Sequence, residues 1–191
     1  MLKCLRNILW RNDPFSMYEY CSLKDAGQGS RFEGVVLAVV DEKPLRIAYQ
    51  VACDREGLTR SVEVNAVGGL GEHHIQLEVD GQRSWSLNGK ELPECRGFAD
   101  VDLGFSPSTN SLPIRRLKLS PGESQTLTAA WVRFPQFDVI AFPQRYTRLE
   151  QNSYLYESLL GEFKAELTVD ELGIVQKYGK YWEALAASKE C

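Results

Sequence analysis

Two carboxylates, Asp100 and Asp102, stand two residues apart in "DVDLGF", and two guanidinium groups, Arg115 and Arg116, follow in "IRRLKL". On a strand, residues two apart share a face, so both acids meet the same surroundings. Paired carboxylates serve either as general acid and base or as counter-charges for cations, and an acid working at neutral pH needs a raised pKa. Arginine partners keep carboxylates ionised, so the spacing favours a structural ion-pair network over catalysis. "GFSPS", Gly104 to Ser108, approaches the G-x-S-x-G turn that presents a nucleophilic serine. It ends in serine, however, and Pro107 removes the amide that would help hold an oxyanion. His73 and His74 are the only histidines. As strand neighbours they point to opposite faces and cannot readily share a metal. Cys4, Cys21, Cys53, Cys95 and Cys191 form no C-x-x-C pair, which signals neither a zinc site nor a disulfide framework and fits a reducing cytoplasm. These readings predict a protein that is not an enzyme and needs no cofactor and no metal.

The remaining chemistry is that of binding. Trp10, Trp85, Trp131, Phe134, Tyr146, Tyr154 and Tyr156 combine apolar rings with polar tips, suited either to ordinary core packing or to the wall of a cavity for an amphipathic ligand. Asp102, Asn110, Arg115, Arg116 and Arg145, with Tyr146 and Trp131, are the candidate ligand-binding residues. Arg145 and Arg148 are three apart in a strand-like stretch, so they point to opposite faces and need not share a role.

Strands must position these groups. Alternation of period two sets Ile47, Tyr49, Val51 and Cys53 on one face, and likewise Val62, Val64 and Ala66, then Ile75, Leu77 and Val79. Asp80-Gly81 and Asn88-Gly89 read as hairpin turns. Phe163, Ala165, Leu167 and Val169 alternate with polar residues before a turn near Gly173. "GVVLAVV" is apolar throughout from Val35 to Val40, which predicts a strand covered on both faces. The final "KYGKYWEALAASKEC" predicts a short helix. Roughly ten strands with short turns suggest a mainly β protein, one antiparallel sheet curled around an interior element, in a single domain over residues 1–191. The interior element is a helix from about Ser111 to Leu119. Asn110 or Ser111 would cap it, Pro113 suits its first turn, and Pro121-Gly122 would stop it. Its leucines and Ile114 crowd Arg115 and Arg116, and if the sheet encloses it those arginines need Asp100 and Asp102 as partners. The same letters also permit a short exposed helix with solvated arginines.

The 191 residues carry 22 basic and 26 acidic side chains, a net charge of −4 without a basic face, which argues against nucleic acid. Arg6, Asn7 and Arg11 interrupt the N-terminal apolar stretch before signal-peptide length, and no segment has the roughly 20 apolar residues of a membrane span. The expectation is a soluble, cytoplasmic protein with no stable membrane insertion.

"DVDLGFSPSTNSLPIRRLKLSPGES", with "WVRFP", "QRYTRL", "ILWR", "FEGVVLAV" and "AYQVACD", resembles a bacterial family described as "putative glycolipid-binding proteins". The similarity spans nearly the whole chain. It implies a spiral β-roll wrapped round one helix, a homodimer, and a glycolipid or other amphipathic ligand. The alternative is an interaction protein that works through its dimer interface without a small molecule. Open edge strands, whose free amides and carbonyls invite pairing, are a reason to expect dimerisation.

Overall fold

The computed structural model describes residues 2–189. The alternating stretches become strands: β1 (Lys3–Asn12), β2 (Met17–Asp25), β3 (Ser30–Val40), β4 (Lys43–Cys53), β5 (Thr59–Gly68), β6 (Gly71–Val79), β7 (Trp85–Leu87), β8 (Lys90–Glu91), β9 (Asp100–Leu103), β10 (Ser124–Val132), β11 (Val139–Glu150), β12 (Ser153–Ser158), β13 (Lys164–Val169), β14 (Val175–Tyr178) and β15 (Trp182–Ser188). The helix α1 covers Ser111–Leu117. Residues assigned inward by alternation are buried, among them Ile47, Val51, Val64 and Leu77, each at most 1% exposed.

All fifteen strands belong to one sheet, in the order β8 through β1, then β15 back to β9. The chain starts in the middle, works out to one edge at β8, passes to the other edge at β9 and returns to pair β15 with β1. That passage forces the curl. Laid flat, fifteen strands would put their edges about 67 Å apart at ~4.8 Å per neighbour. The connecting segment from Leu92 to Ala99 reaches only about 27 Å fully extended. The β9 edge must therefore fold back onto the other arm, and it does so at β5: the Thr59 amide donates to Ala99 O at 2.9 Å, and the Val101 amide to Thr59 Oγ1 at 3.2 Å. The result is a mostly β fold, one large curled sheet that does not close into a barrel.

The same topology explains the helix. β9 and β10 are parallel neighbours. A parallel pair needs a crossover of a dozen or more residues. Here the first part of the crossover, through Ile114, lies inside the roll, and the chain emerges after Lys118. Leu112 packs in the larger apolar cluster with Trp10, Phe32 and Leu103, whereas Ile114 packs in a second cluster with Tyr146, Tyr156 and Leu167. The helix thus fills the space between the two arms of the sheet. It ends at Leu117 rather than Leu119, because Lys118 adopts a left-handed conformation with φ of 49°. A 3-10 turn, Ser108–Asn110, feeds into the helix and supplies carbonyls for the Ser111 amide. The expected side-chain cap is absent, and Asn110 accepts instead from the Tyr146 hydroxyl at 2.9 Å.

Two local expectations are corrected. The C-terminal stretch is strand where a helix was predicted: Trp182–Ser188 pairs with β1 from Asn7 to Arg11. Ladder bonds to an otherwise open neighbour outweigh the modest helix propensity of "EALAAS". β3 is covered on one face only. Val36 and Ala38 point inward, but Leu37 is 56% and Val39 51% exposed. Its apolar outer face is not matched by any described element of this chain. No helix among the described residues is long and apolar enough to cross a membrane.

Candidate functional site

The serines and threonine of "SPSTN" are buried in the crossover, where each must find a hydrogen bond. Two polar networks result. In the first, Tyr49 donates to Glu19 Oε1 at 2.5 Å and Ser106 donates to the same oxygen at 2.7 Å. Ser108 Oγ lies 2.8 Å from the Tyr49 hydroxyl and 2.7 Å from Ser106 Oγ. Glu19 is fully buried, and desolvation pushes its carboxyl up to about 8 despite the hydrogen bonds from Tyr49 and Ser106, so it is mostly protonated at pH 7. In the second network, Gln144 donates through its amide nitrogen to Asp102 Oδ2, Thr109 Oγ1 lies 3.5 Å from Asp102 Oδ1, and Tyr146 links Asn110 to Gln144. Withdrawal from bulk water raises Asp102 to about 6, against the lowering effect of Gln144 and Thr109.

Asp102 therefore has no arginine partner. The ion pair forms at Asp100, where Arg116 Nη2 meets Oδ2 at 2.5 Å and Nε meets Oδ1 at 3.3 Å. Arg115 donates to Leu172 O at 2.8 Å. Residues two apart on β9 thus reach different partners, because one points at the C-terminal end of α1 and the other at β11.

Between these networks and the strands of the C-terminal half lies a pocket of about 270 Å³. β9 and the crossover contribute Asp102, Ser106 and Asn110, β10 and β11 contribute Trp131 and Phe142, and β12 to β15 contribute Tyr156, Tyr178 and Trp182. Trp131 and Phe142 stack with centroids 4.2 Å apart. Tyr156 meets Tyr146, Phe163 and Tyr178 edge-on at 5.2 to 6.0 Å. Such a wall offers apolar faces with a few convergent polar groups, the usual make-up of a small-molecule site.

The residues singled out from sequence are divided by the fold. Asp102, Asn110 and Trp131 line this pocket, and Tyr146 stands behind it holding Asn110. Arg115 and Arg116 face a different concavity, of about 540 Å³, shared with Asp54, Glu56 and Lys118. Arg145 is on the outer face, 4.0 Å from Glu157. Trp10 and Trp85 are core residues whose indoles donate to Val175 O and Phe98 O. Phe134 packs with Phe105 and Phe137. Arg148 and Tyr154 form a cation–π pair at 5.6 Å. His73 stacks on Phe137 and His74 meets Asn65 Oδ1. A further concavity, of about 650 Å³, is an outer groove lined by Tyr20, Val35 and Asn65 and crossed by the Lys24–Glu33 ion pair.

Phe142, Tyr178 and Trp182 are pocket residues that sequence reasoning missed, because they come from strands distant in sequence. Glu19 had a signal: it sits on the buried face of β2 with Met17 and Cys21.

The structure defines a rolled-sheet protein with an interior helix and a small aromatic pocket beside it. The chain belongs to the family described as "Putative glycolipid-binding", whose model matches residues 7–184. A solved DUF1089-family protein from Pseudomonas aeruginosa is 31% identical, with a TM-score of 0.81 over 92% of this chain and 95% of that one. A β-barrel-like DUF1849 protein from Brucella abortus is 9% identical, with a TM-score of 0.54 over 97% of this chain and 96% of that one, a likeness of fold alone. No curated protein matches the chain.

Proposed function

We propose that this protein binds an amphipathic ligand of the glycolipid class and does not transform it. The observation that carries the reading is the pocket beside α1, where Trp131, Phe142 and Tyr156 form an aromatic wall around the carboxylate of Asp102. The family description points the same way. Binding without catalysis is supported at Ser106, whose hydroxyl donates to a mostly protonated Glu19 and so lacks a base at neutral pH. Native mass spectrometry of gently purified protein tests the reading. An adduct of lipid mass, lost in Trp131→Ala, is the expected result; bare protein mass after repeated preparations, together with no uptake of added octyl glucoside, would overturn it.

A second reading, an interaction protein acting as a homodimer, is favoured by the outer face of β2 and β3. Tyr18 and Tyr20 are each 49% exposed beside Leu37 and Val39. Tyr18 faces Leu37 directly across the ladder, and Tyr20 faces Val35. A contiguous apolar patch of this kind on a sheet face suits a second copy of the chain. The dimer and the ligand pocket use opposite faces of the sheet, so a dimer alone does not oppose the first reading; the second reading differs in needing no ligand.

A further inference from the structure

We propose that the pocket beside Trp131 is a subsite for a single sugar ring, with the alkyl part of the ligand leaving over Leu159, Leu160 and Phe163 at its rim. The inference rests on the binding reading above and assigns the two halves of the ligand to different places. Volume is the first argument. At about 270 Å³ the pocket falls just below the about 300–1,000 Å³ of clefts that enclose drug-sized ligands, so it holds one ring and not a whole glycolipid.

Polarity is the second. A carboxylate has about four acceptor positions. Asp102 engages Gln144 and Thr109, one contact at each oxygen, which leaves capacity toward the pocket. Among the described residues nothing hydrogen-bonds the hydroxyls of Tyr156 and Tyr178 or the indole N–H of Trp131, and none of these is an orphaned buried atom. The charge of Asp102 adds to burial in raising both phenols' pKa, which places them within its field. Gly104 keeps the Trp131 N–H clear, since a Cβ there would stand 2.8 Å from Nε1. Donors and an acceptor around a stacked aromatic pair match a pyranose, whose hydroxyls radiate from a ring with apolar C–H faces. An alkyl chain would leave these polar groups unpaired in a dry site.

The rim supplies what the pocket lacks. Ser158 and Phe163 line the pocket, and the turn between them exposes Leu159 by 41%, Leu160 by 59% and Phe163 by 38%. A chain linked to the bound ring would lie on these side chains as it leaves.

Saturation-transfer NMR and calorimetry with the methyl pyranosides of glucose, galactose, mannose and N-acetylglucosamine, the octyl glycosides of the same sugars, and octylphosphocholine as a sugar-free amphiphile test this. At least one methyl pyranoside should bind, its octyl glycoside about tenfold tighter or more. Trp131→Ala should weaken both by about tenfold. Tyr156→Phe, which removes one oxygen, should weaken both severalfold and carries the test if the alanine variant fails to fold. Leu160→Ser, at an exposed position, should narrow the octyl-to-methyl ratio while leaving the methyl pyranoside unaffected. Absence of any methyl pyranoside binding, indifference to both pocket variants, or an unchanged ratio in Leu160→Ser would overturn the assignment. If octylphosphocholine binds and no sugar does, the sugar subsite is wrong and the amphiphile reading stands. If neither amphiphile binds, both fall.

Discussion

Glu19 is an acid on a strand face otherwise made of Met17, Cys21 and Leu23, and it has consequences for stability. Its folded pKa of about 8 exceeds its ordinary value of 4.5. Between those values the unfolded chain has released the proton that the folded chain retains, so stability falls as pH rises through the window. Asp102, raised to about 6, acts in the same direction between its ordinary 3.8 and that value. Urea denaturation should therefore show a lower midpoint at pH 8 than at pH 5. Glu19→Gln keeps the hydrogen bonds at Oε1 and removes the titration. It should be about 1–3 kcal/mol more stable than wild type at pH 8, with little difference at pH 5. An equal pH slope in both proteins would show that Glu19 is not the group responsible.

At the scale of elements, α1 is held by charge at one end and by strand packing at the other. Asp100 is 1% exposed at its side chain and Arg116 18%. Removing one member of a buried pair leaves the other uncompensated, so Arg116→Met should cost about 3 kcal/mol. Asp100→Leu combined with Arg116→Met should recover much of that loss, because the pair's own net worth is small once desolvation is counted. Additive single-variant losses in chemical denaturation would contradict this account. In the sheet, Gly34 lies opposite Tyr49 across β3 and β4. A Cβ at Gly34 would sit 2.4 to 2.5 Å from the Tyr49 ring and hydroxyl. Gly34→Ala should destabilise by about 1–3 kcal/mol through overpacking. It should also displace the hydroxyl from Glu19, which a shifted pH slope would reveal.

For the whole molecule, open edges no longer supply the reason to expect a dimer. β8 has two residues, Lys90 and Glu91, and β9 is tied to Thr59 through Ala99 and Val101. Short, charged or covered edges discourage strand pairing. The outer face of β2 and β3 supplies a different reason. Sedimentation equilibrium should find twice the monomer mass, and Leu37→Glu, at a 56% exposed position, should restore the monomer with an unchanged far-ultraviolet circular dichroism spectrum and a thermal midpoint no longer dependent on protein concentration. Wild-type protein at monomer mass over the full concentration range would remove the dimer and leave the pocket proposals intact. A stable interface on this face should bury about 1,200 Å² or more.

Period-two alternation determined which side of most strands faces inward, since successive side chains on a strand point to opposite faces. The crowded aliphatic residues and the arginines pointed to a helix near Ser111 that would need a counter-charge if enclosed, and it was the tertiary structure that decided between enclosure and exposure. What alternation cannot express is whether an outer face has a partner, so the apolar run in β3 looked covered when Leu37 and Val39 are bare. Nor can local propensity report a vacant ladder beside β1, which makes a strand of Trp182–Ser188. The tertiary structure alone decided which carboxylate meets Arg116. It also alone assembled the pocket, because Asp102, Trp131, Tyr156 and Trp182 lie on four strands. They converge only because the arm from β9 to β15 curls until its outermost and innermost strands face one pocket.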